Sequence, residues 1–158
     1  MAKIKVQGTN VFAFDGTVIK RLYCLKTLDL GSDSPTRMED TCLEEEESKQ
    51  YAYGLNDPGA GSLGYTLDDE NESHLELIEF GDQRKKLTFY IGAQGSTAVP
   101  TVEAGAVVLP TTRSWWSFGA NITSGQPTFE PDSFVQYSIP MQRTTKVSFI
   151  PKTPVVNP

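Results

Sequence analysis

The chain has 158 residues, 38% hydrophobic and 22% charged, with a net charge of −6. This suits one domain with a modest core, excludes a membrane span of ~20 apolar residues, and, without an apolar leader in "MAKIKVQGTNVFAF", leads us to expect an intracellular chain with no membrane partner. The charge is divided: residues 37–82 hold 14 acids against 2 bases, a net −12, whereas residues 1–36 carry +2 and residues 83–158 carry +4, a split that favours head-to-tail self-association and excludes reading of DNA through a basic face.

In chain order, "VFAFDGTVIK" sets Asp15-Gly16 between two apolar runs, which predicts a hairpin whose two central residues take positive φ. Cys24 and Cys42 fit no metal pattern, with His74 the single histidine, and are read as reduced, partly buried thiols. Residues 37–53 read as a long polar loop. "DENESHLELIEFGDQR" predicts one helix of about ten residues. Leu75, Ile78 and Phe80 are expected to share its buried face, with Asn71 or Ser73 at its start and Gly81 as its stop. Beyond it, period-two runs predict strands in "KLTFYIG", "SFVQYSIPM" and "KVSFI", and a strand interrupted by Gly119 in "RSWWSFGANI". The fold class is mainly β, a sandwich or barrel with one short flanking helix. Residues 1–150 form a single domain and 151–158 a proline-rich, extended or loose tail.

Each chemical motif has a simpler structural reading. "GAGSLG" (Gly59 to Gly64) spells G-x-G-x-x-G, but "NDP" before it and "YTLDDEN" after it give neither the strand nor the helix that dinucleotide binding needs, so a glycine-rich turn feeding a strand is expected. Asp68 to Glu72 lack a calcium loop's glycine and read as helix-start acids. Glu44, Glu45, Glu46 and Glu47 share one solvated setting, whereas paired catalytic carboxylates need separated pKa values. His74 is expected at the surface or an edge, with no activated serine or cysteine marked beside it. Trp115 and Trp116 send one ring to each face of a strand. One should enter the core, and the other needs a cover supplied by a subunit, a loop or a ligand. No catalytic, metal or cofactor site emerges.

Taken in order, the landmarks resemble a phage tail tube protein of the long, flexible-tailed type. "DGTVIKRLYCLKTLDLG" is similar to that family's opening hairpin and next strand. Asp40-Thr41, a polar loop, and the turn Gly54 to Gly59 resemble its most telling segment. "SHLELIEF" is similar to its lone helix, and "KKLTFYIG", "LPTTRSWWSFGANITS" and "SFVQYSIPMQRTT" to its later strands, over most of residues 8–145. After the helix, "GAQGSTAVP" departs from the Asp-Gly turn expected there.

The resemblance implies a structural virion protein rather than an enzyme. Six copies would join their sheets into a homo-hexameric ring, and rings would stack into a tube that conducts duplex DNA without gripping it. Tape-measure and adaptor or terminator proteins would be the partners, with assembly in the host cytoplasm and residence in the virion tail. Glu44, Glu45, Glu46, Glu47, Asp57, Asp68 and Asp69 are then candidates for ring-to-ring or bore-lining contacts, and Trp115 and Trp116 for interface aromatics. The alternatives are a monomeric carbohydrate- or protein-binding sandwich using a tryptophan platform, a hydrolase with His74 as base, and a tail terminator or type VI secretion-like tube subunit of nearly the same fold.

Overall fold

In the computed structural model, which describes residues 3–152, the elements follow as β1 (Asn10–Phe14), β2 (Ile19–Leu22), β3 (Leu25–Asp29), β4 (Ser34–Glu39), β5 (Tyr51–Asp57), β6 (Ala60–Thr66), α1 (Glu72–Gln83), β7 (Lys86–Gly92), β8 (Thr101–Glu103), β9 (Ala106–Val108), β10 (Trp115–Ile122), β11 (Gln126–Thr128), β12 (Gln136–Arg143) and β13 (Ser148–Ile150). The main sheet runs β2-β1-β7-β10-β12-β6-β3, with β11 added beside β12 and β13 beside β10, and every pairing is antiparallel. Its two outermost strands, β2 and β3, are separated in the chain by Tyr23 and Cys24 alone. Three backbone steps reach about 10 Å at most, so the sheet must curl until its edges meet. Cys24 turns that corner at φ 56°.

Alternation fills the curl. Val11 and Ala13 of β1, Leu87, Phe89 and Ile91 of β7, Phe118, Ala120 and Ile122 of β10, Ile139 and Met141 of β12, and Leu63 and Tyr65 of β6 all join one core. Phe89 and Phe118 stack at 5.4 Å across their paired strands. The β10 strand runs through Gly119 without interruption, because Gly119 N–H donates to Thr145 Oγ1 (2.8 Å) and its carbonyl accepts from Thr144 N–H (2.8 Å).

The predicted first hairpin forms, but with a four-residue connection. Only Gly16 has positive φ, and Asp15 Oδ1 closes the turn by accepting from Thr17 N–H (3.0 Å) and Val18 N–H (2.9 Å). The pair of adjacent positive-φ residues occurs instead at Ala104 (51°) and Gly105 (79°), between β8 and β9, a hairpin the sequence reading missed.

Helix α1 starts at Asn71, whose side chain accepts from Ser73 N–H, and ends at Arg84, which takes the left-handed conformation at φ 53°. Its buried face is Ser73, His74, Leu77, Phe80 and Gly81, not Leu75 and Ile78 with Phe80: Leu75 is exposed and Ile78 half-buried. Gly81 is not the stop. It lies inside the helix, where its missing Cβ lets Thr123 O approach.

Three further expectations change. Only Gly59 of "GAGSLG" lies in a turn, with Pro58; Ala60 to Gly64 already belong to strand β6, and Gly54 to Asp57 belong to β5. Cys24 and Cys42 are free thiols but exposed. Residues 37–53 are not a plain loop, since β4 and β5 pair into a separate two-stranded hairpin with a loop of residues 40–50 at its tip. Of the proline-rich tail, residues 153–158 lie outside the described residues.

Candidate assembly interface

The β4–β5 hairpin, here called the arm, projects from the barrel with every one of its thirteen strand residues exposed. Tyr51, Tyr53 and Leu55 alternate onto one face, with Arg37 stacked over the Tyr51 ring at 3.4 Å. Thr41 Oγ1 closes the tip by accepting from Gln50 N–H (2.9 Å), while Asp40 N–H donates to Gln50 O (2.8 Å). Beyond this clasp stand the exposed Leu43 and Glu44 to Glu47.

The root of the arm is as tight as its shaft is bare. Where the β3–β4 connection crosses β5–β6, a Cβ on Gly59 would collide with Ser32 and one on Gly61 with Asp29 O, so only glycine lets the backbones touch. Arg143, 3% exposed, clamps the crossing. Its Nε donates to Leu30 O (2.6 Å), its Nη2 pairs with Asp33 Oδ1, and its backbone N–H donates to Gly59 O (3.2 Å). Gln142 Nε2 donates to Pro58 O (2.8 Å). A buried guanidinium with this many partners fixes the direction in which the arm leaves the barrel.

The predicted acidic residues do not converge. Glu44 to Glu47 lie at the arm tip and Asp57 at its root. Asp68 and Asp69 follow the other end of β6, roughly 20 Å away for a seven-residue strand. Asp68 Oδ1 accepts from Glu70 N–H (3.0 Å), which shapes the turn into α1.

The tryptophans separate as expected. Trp116 faces the barrel interior at the mouth, half-buried, with Phe149 of β13 at 5.4 Å. Trp115 faces outward and is 1% exposed, so the subunit itself covers it and it presents no interface ring. Its cover comes from Pro110 and Arg113 of the β9–β10 connection and from Phe12 of β1: Trp115 Nε1 donates to Pro110 O (2.9 Å), Phe12 packs at 5.8 Å, and Arg113 lies over the ring at 5.1 Å. Arg113 is buried, donates to Ala93 O (2.9 Å) and Ala98 O (3.1 Å), and leaves Nη2 unpartnered. Burial, then the charge of Arg21, lowers its pKa. Neither buried arginine was singled out from the sequence; an arginine between the strand residues Met141 and Ile139 on one side and "TT" on the other carries no sign of burial except its place in the alternation.

His74 is 1% exposed, not a surface or edge residue. Its Nε2 donates to Tyr23 O (3.0 Å), its Nδ1 accepts from Asp68 N–H (3.2 Å), and its ring stacks on Tyr65 at 4.3 Å. With Tyr23 N–H donating to Ser73 Oγ (3.0 Å), the helix start holds the barrel corner on both sides of the peptide. Burial, then the neighbouring Tyr137, pushes the Tyr65 hydroxyl up to about 12. The two ring nitrogens of His74 are both engaged by backbone groups rather than by a serine or cysteine side chain. Among the described residues no cluster of three or more potential metal ligands occurs, and no helix is long and apolar enough to cross a membrane.

Against this geometry, the family described as phage tail tube, TTP, lambda-like matches residues 2–153. The chain belongs to this family. The tail tube protein is 26% identical over 157 residues to "Structural protein 3" of Pseudomonas phage PAJU2, covering 95% of each chain. Its fold is similar to the tail tube of SPP1, at TM-score 0.57 and 12% identity over 94% of this chain and 80% of that one. It is also similar to a chain of the PVC extracellular contractile injection system sheath–tube complex, at TM-score 0.64 and 14% identity over 93% of this chain and 90% of that one. The exposed arm, the curled sheet and helix α1 thus belong to a structural tail protein of a phage, with its place in the virion tail.

Proposed function

We propose that six copies join their sheets into a ring, that rings stack into a hollow tube, and that duplex DNA passes through it during ejection. The observation that carries this reading is the arm: thirteen strand residues, none buried in their own subunit. An isolated two-stranded ribbon is marginal in water, so its cover must come from other copies. Heterologous contacts of this kind repeat from subunit to subunit and close into rings or continue as filaments.

The acidic balance suits the cargo. Duplex DNA carries one negative charge per ~1.7 Å, and basic walls would bind its phosphates and slow it. The carboxylates at the arm tip (Glu44 to Glu47), at Asp57 and at the Asp68–Asp69 turn serve ring-to-ring contact or line the bore. Tape-measure and adaptor or terminator proteins would cap and measure the tube, in line with the baseplate and sheath–tube assemblies in which similar folds occur.

Negative-stain electron microscopy of concentrated protein should show rings or tubes with a central hole. Glu44→Lys with Glu46→Lys should impair tube assembly or DNA passage. A monodisperse monomer at every concentration, with and without a tail extract to nucleate assembly, would refute the reading.

A further inference from the structure

Where β1, β3 and the start of β10 meet the N-terminal segment, the barrel mouth opens into a groove of about 400 Å³. Ile4, Val6, Leu28 and Trp116 provide apolar walls, Lys5 and Lys26 provide its charges, and no acid lines it. Phe149 covers one side of Trp116, leaving the rest of the indole toward the groove. Beside it, β3 is an outermost strand of the sheet and offers an unpaired edge.

We infer that this groove receives the arm of a second copy. The inference rests on the assembly reading above and names the surface that reading leaves open. Three properties of the arm match the groove. It bears an apolar face of Tyr51, Tyr53 and Leu55, with Arg37 over the Tyr51 ring and Leu55 almost fully exposed at 89%. Residues 37–57 hold 7 acids against 2 bases, a net −5, opposite a groove with lysines and no carboxylate. It is extended backbone, the form that can lie along a free sheet edge. The arm does not occupy its own groove, since all its strand residues are exposed. Every copy therefore offers one arm and one receptor, a head-to-tail arrangement that propagates. Lys5 and Lys26 receive arm carboxylates at the rim, and Trp116 meets the apolar stripe beneath.

The test uses the full chain. Lys5→Glu with Lys26→Glu alters exposed residues, so the thermal midpoint should hold while the concentration needed for tubes rises at least ~10-fold, because like charges then face each other. Adding Glu44→Lys and Glu46→Lys to the same chain should restore tubes. Independently, with Cys24 and Cys42 changed to serine, a copy carrying Leu43→Cys, beside Glu44 at the arm tip, and a copy carrying Thr27→Cys, beside Lys26, should form a disulfide dimer when mixed and none when separate. If wild-type protein forms tubes but the lysine reversal leaves them unchanged, or the mixed cysteine pair never links within them, the docking is overturned while the tube reading stands. If wild-type protein forms no ring or tube under any condition, both fall together.

Discussion

The barrel and the arm are both antiparallel β-structure, yet they obey opposite rules. Each barrel strand sends alternate side chains into one shared core, and the sheet bends until Tyr23 and Cys24 can join its edges. The arm strands have similar lengths and full pairing, and bury nothing. Backbone hydrogen bonds alone contribute little net stability in water, so the two regions differ in what holds them: the barrel has its own core, and the arm is a ribbon held at its root by Arg143.

The sharpest way to break the comparison is at the core. Phe89 is 0% exposed and stacked on Phe118. Phe89→Ala should lower unfolding free energy by about 3–5 kcal/mol, read from the urea midpoint of the free subunit. A loss under about 1 kcal/mol would mean that the barrel is as open as the arm.

A smaller effect is expected at the corner. His74→Ala leaves Tyr23 O and Asp68 N–H, both only part-buried, without their side-chain partners, at about 1–3 kcal/mol in all, while tubes still form from the folded fraction. A hydrolase role for His74 predicts the reverse, an unaltered midpoint with a lost activity, so denaturation and electron microscopy on one sample separate the two.

The arm should respond in the other direction. Tyr53→Ser with Leu55→Ser changes two exposed residues and should move the free subunit's stability by no more than about 0.5 kcal/mol per site, yet prevent tube formation. Hydrogen exchange sharpens the point: amides of β4 and β5 should exchange rapidly in the free subunit and become protected in tubes, while those of β7 and β10 stay protected in both. Equal protection of arm and barrel in the free subunit would sink the distinction.

These differences also explain what the sequence disclosed. Strands that bury one face show it as alternation: Leu87, Phe89 and Ile91 in β7, or Ile139 and Met141 in β12, and such strands were legible. "QYAYGLND" alternates too, but Gly54 and the flanking acids resemble turn chemistry, and its apolar residues face no core in their own chain, so β5 read as loop and turn. The helix was legible from its cap, yet its buried face was misplaced because His74 and Ser73, both polar, occupy positions that Leu75 and Ile78 would fill by hydropathy alone. Cys24 read as partly buried because nothing local marks a corner whose geometry is imposed by strands far away in the chain. Among the candidate residues, the division of the acidic positions between the arm and the Asp68–Asp69 turn depends on the length of β6, which pairing determines.

The smallest effect compares two hairpin tips. The β1–β2 tip is closed by Asp15, whose carboxylate is held at about 2, below its ordinary 3.8, chiefly by the backbone N–H groups of Val18 and Thr17. A carboxyl lowered in the folded state contributes stability that is present above about pH 4 and lost as pH falls from there toward 2. Because the hydrogen bonds of Asp15 lie at an exposed turn, the effect is small. Asp15→Asn keeps an acceptor oxygen for the same N–H groups but cannot titrate, so its urea midpoint should fall less steeply than wild type between pH 4 and 2 and match it closely at neutral pH. The arm tip is closed by Thr41, a group with no charge to lose in that range, and Thr41→Ser should leave the slope unchanged. Parallel acid slopes for wild type and Asp15→Asn would show that the carboxylate closes nothing at the first tip.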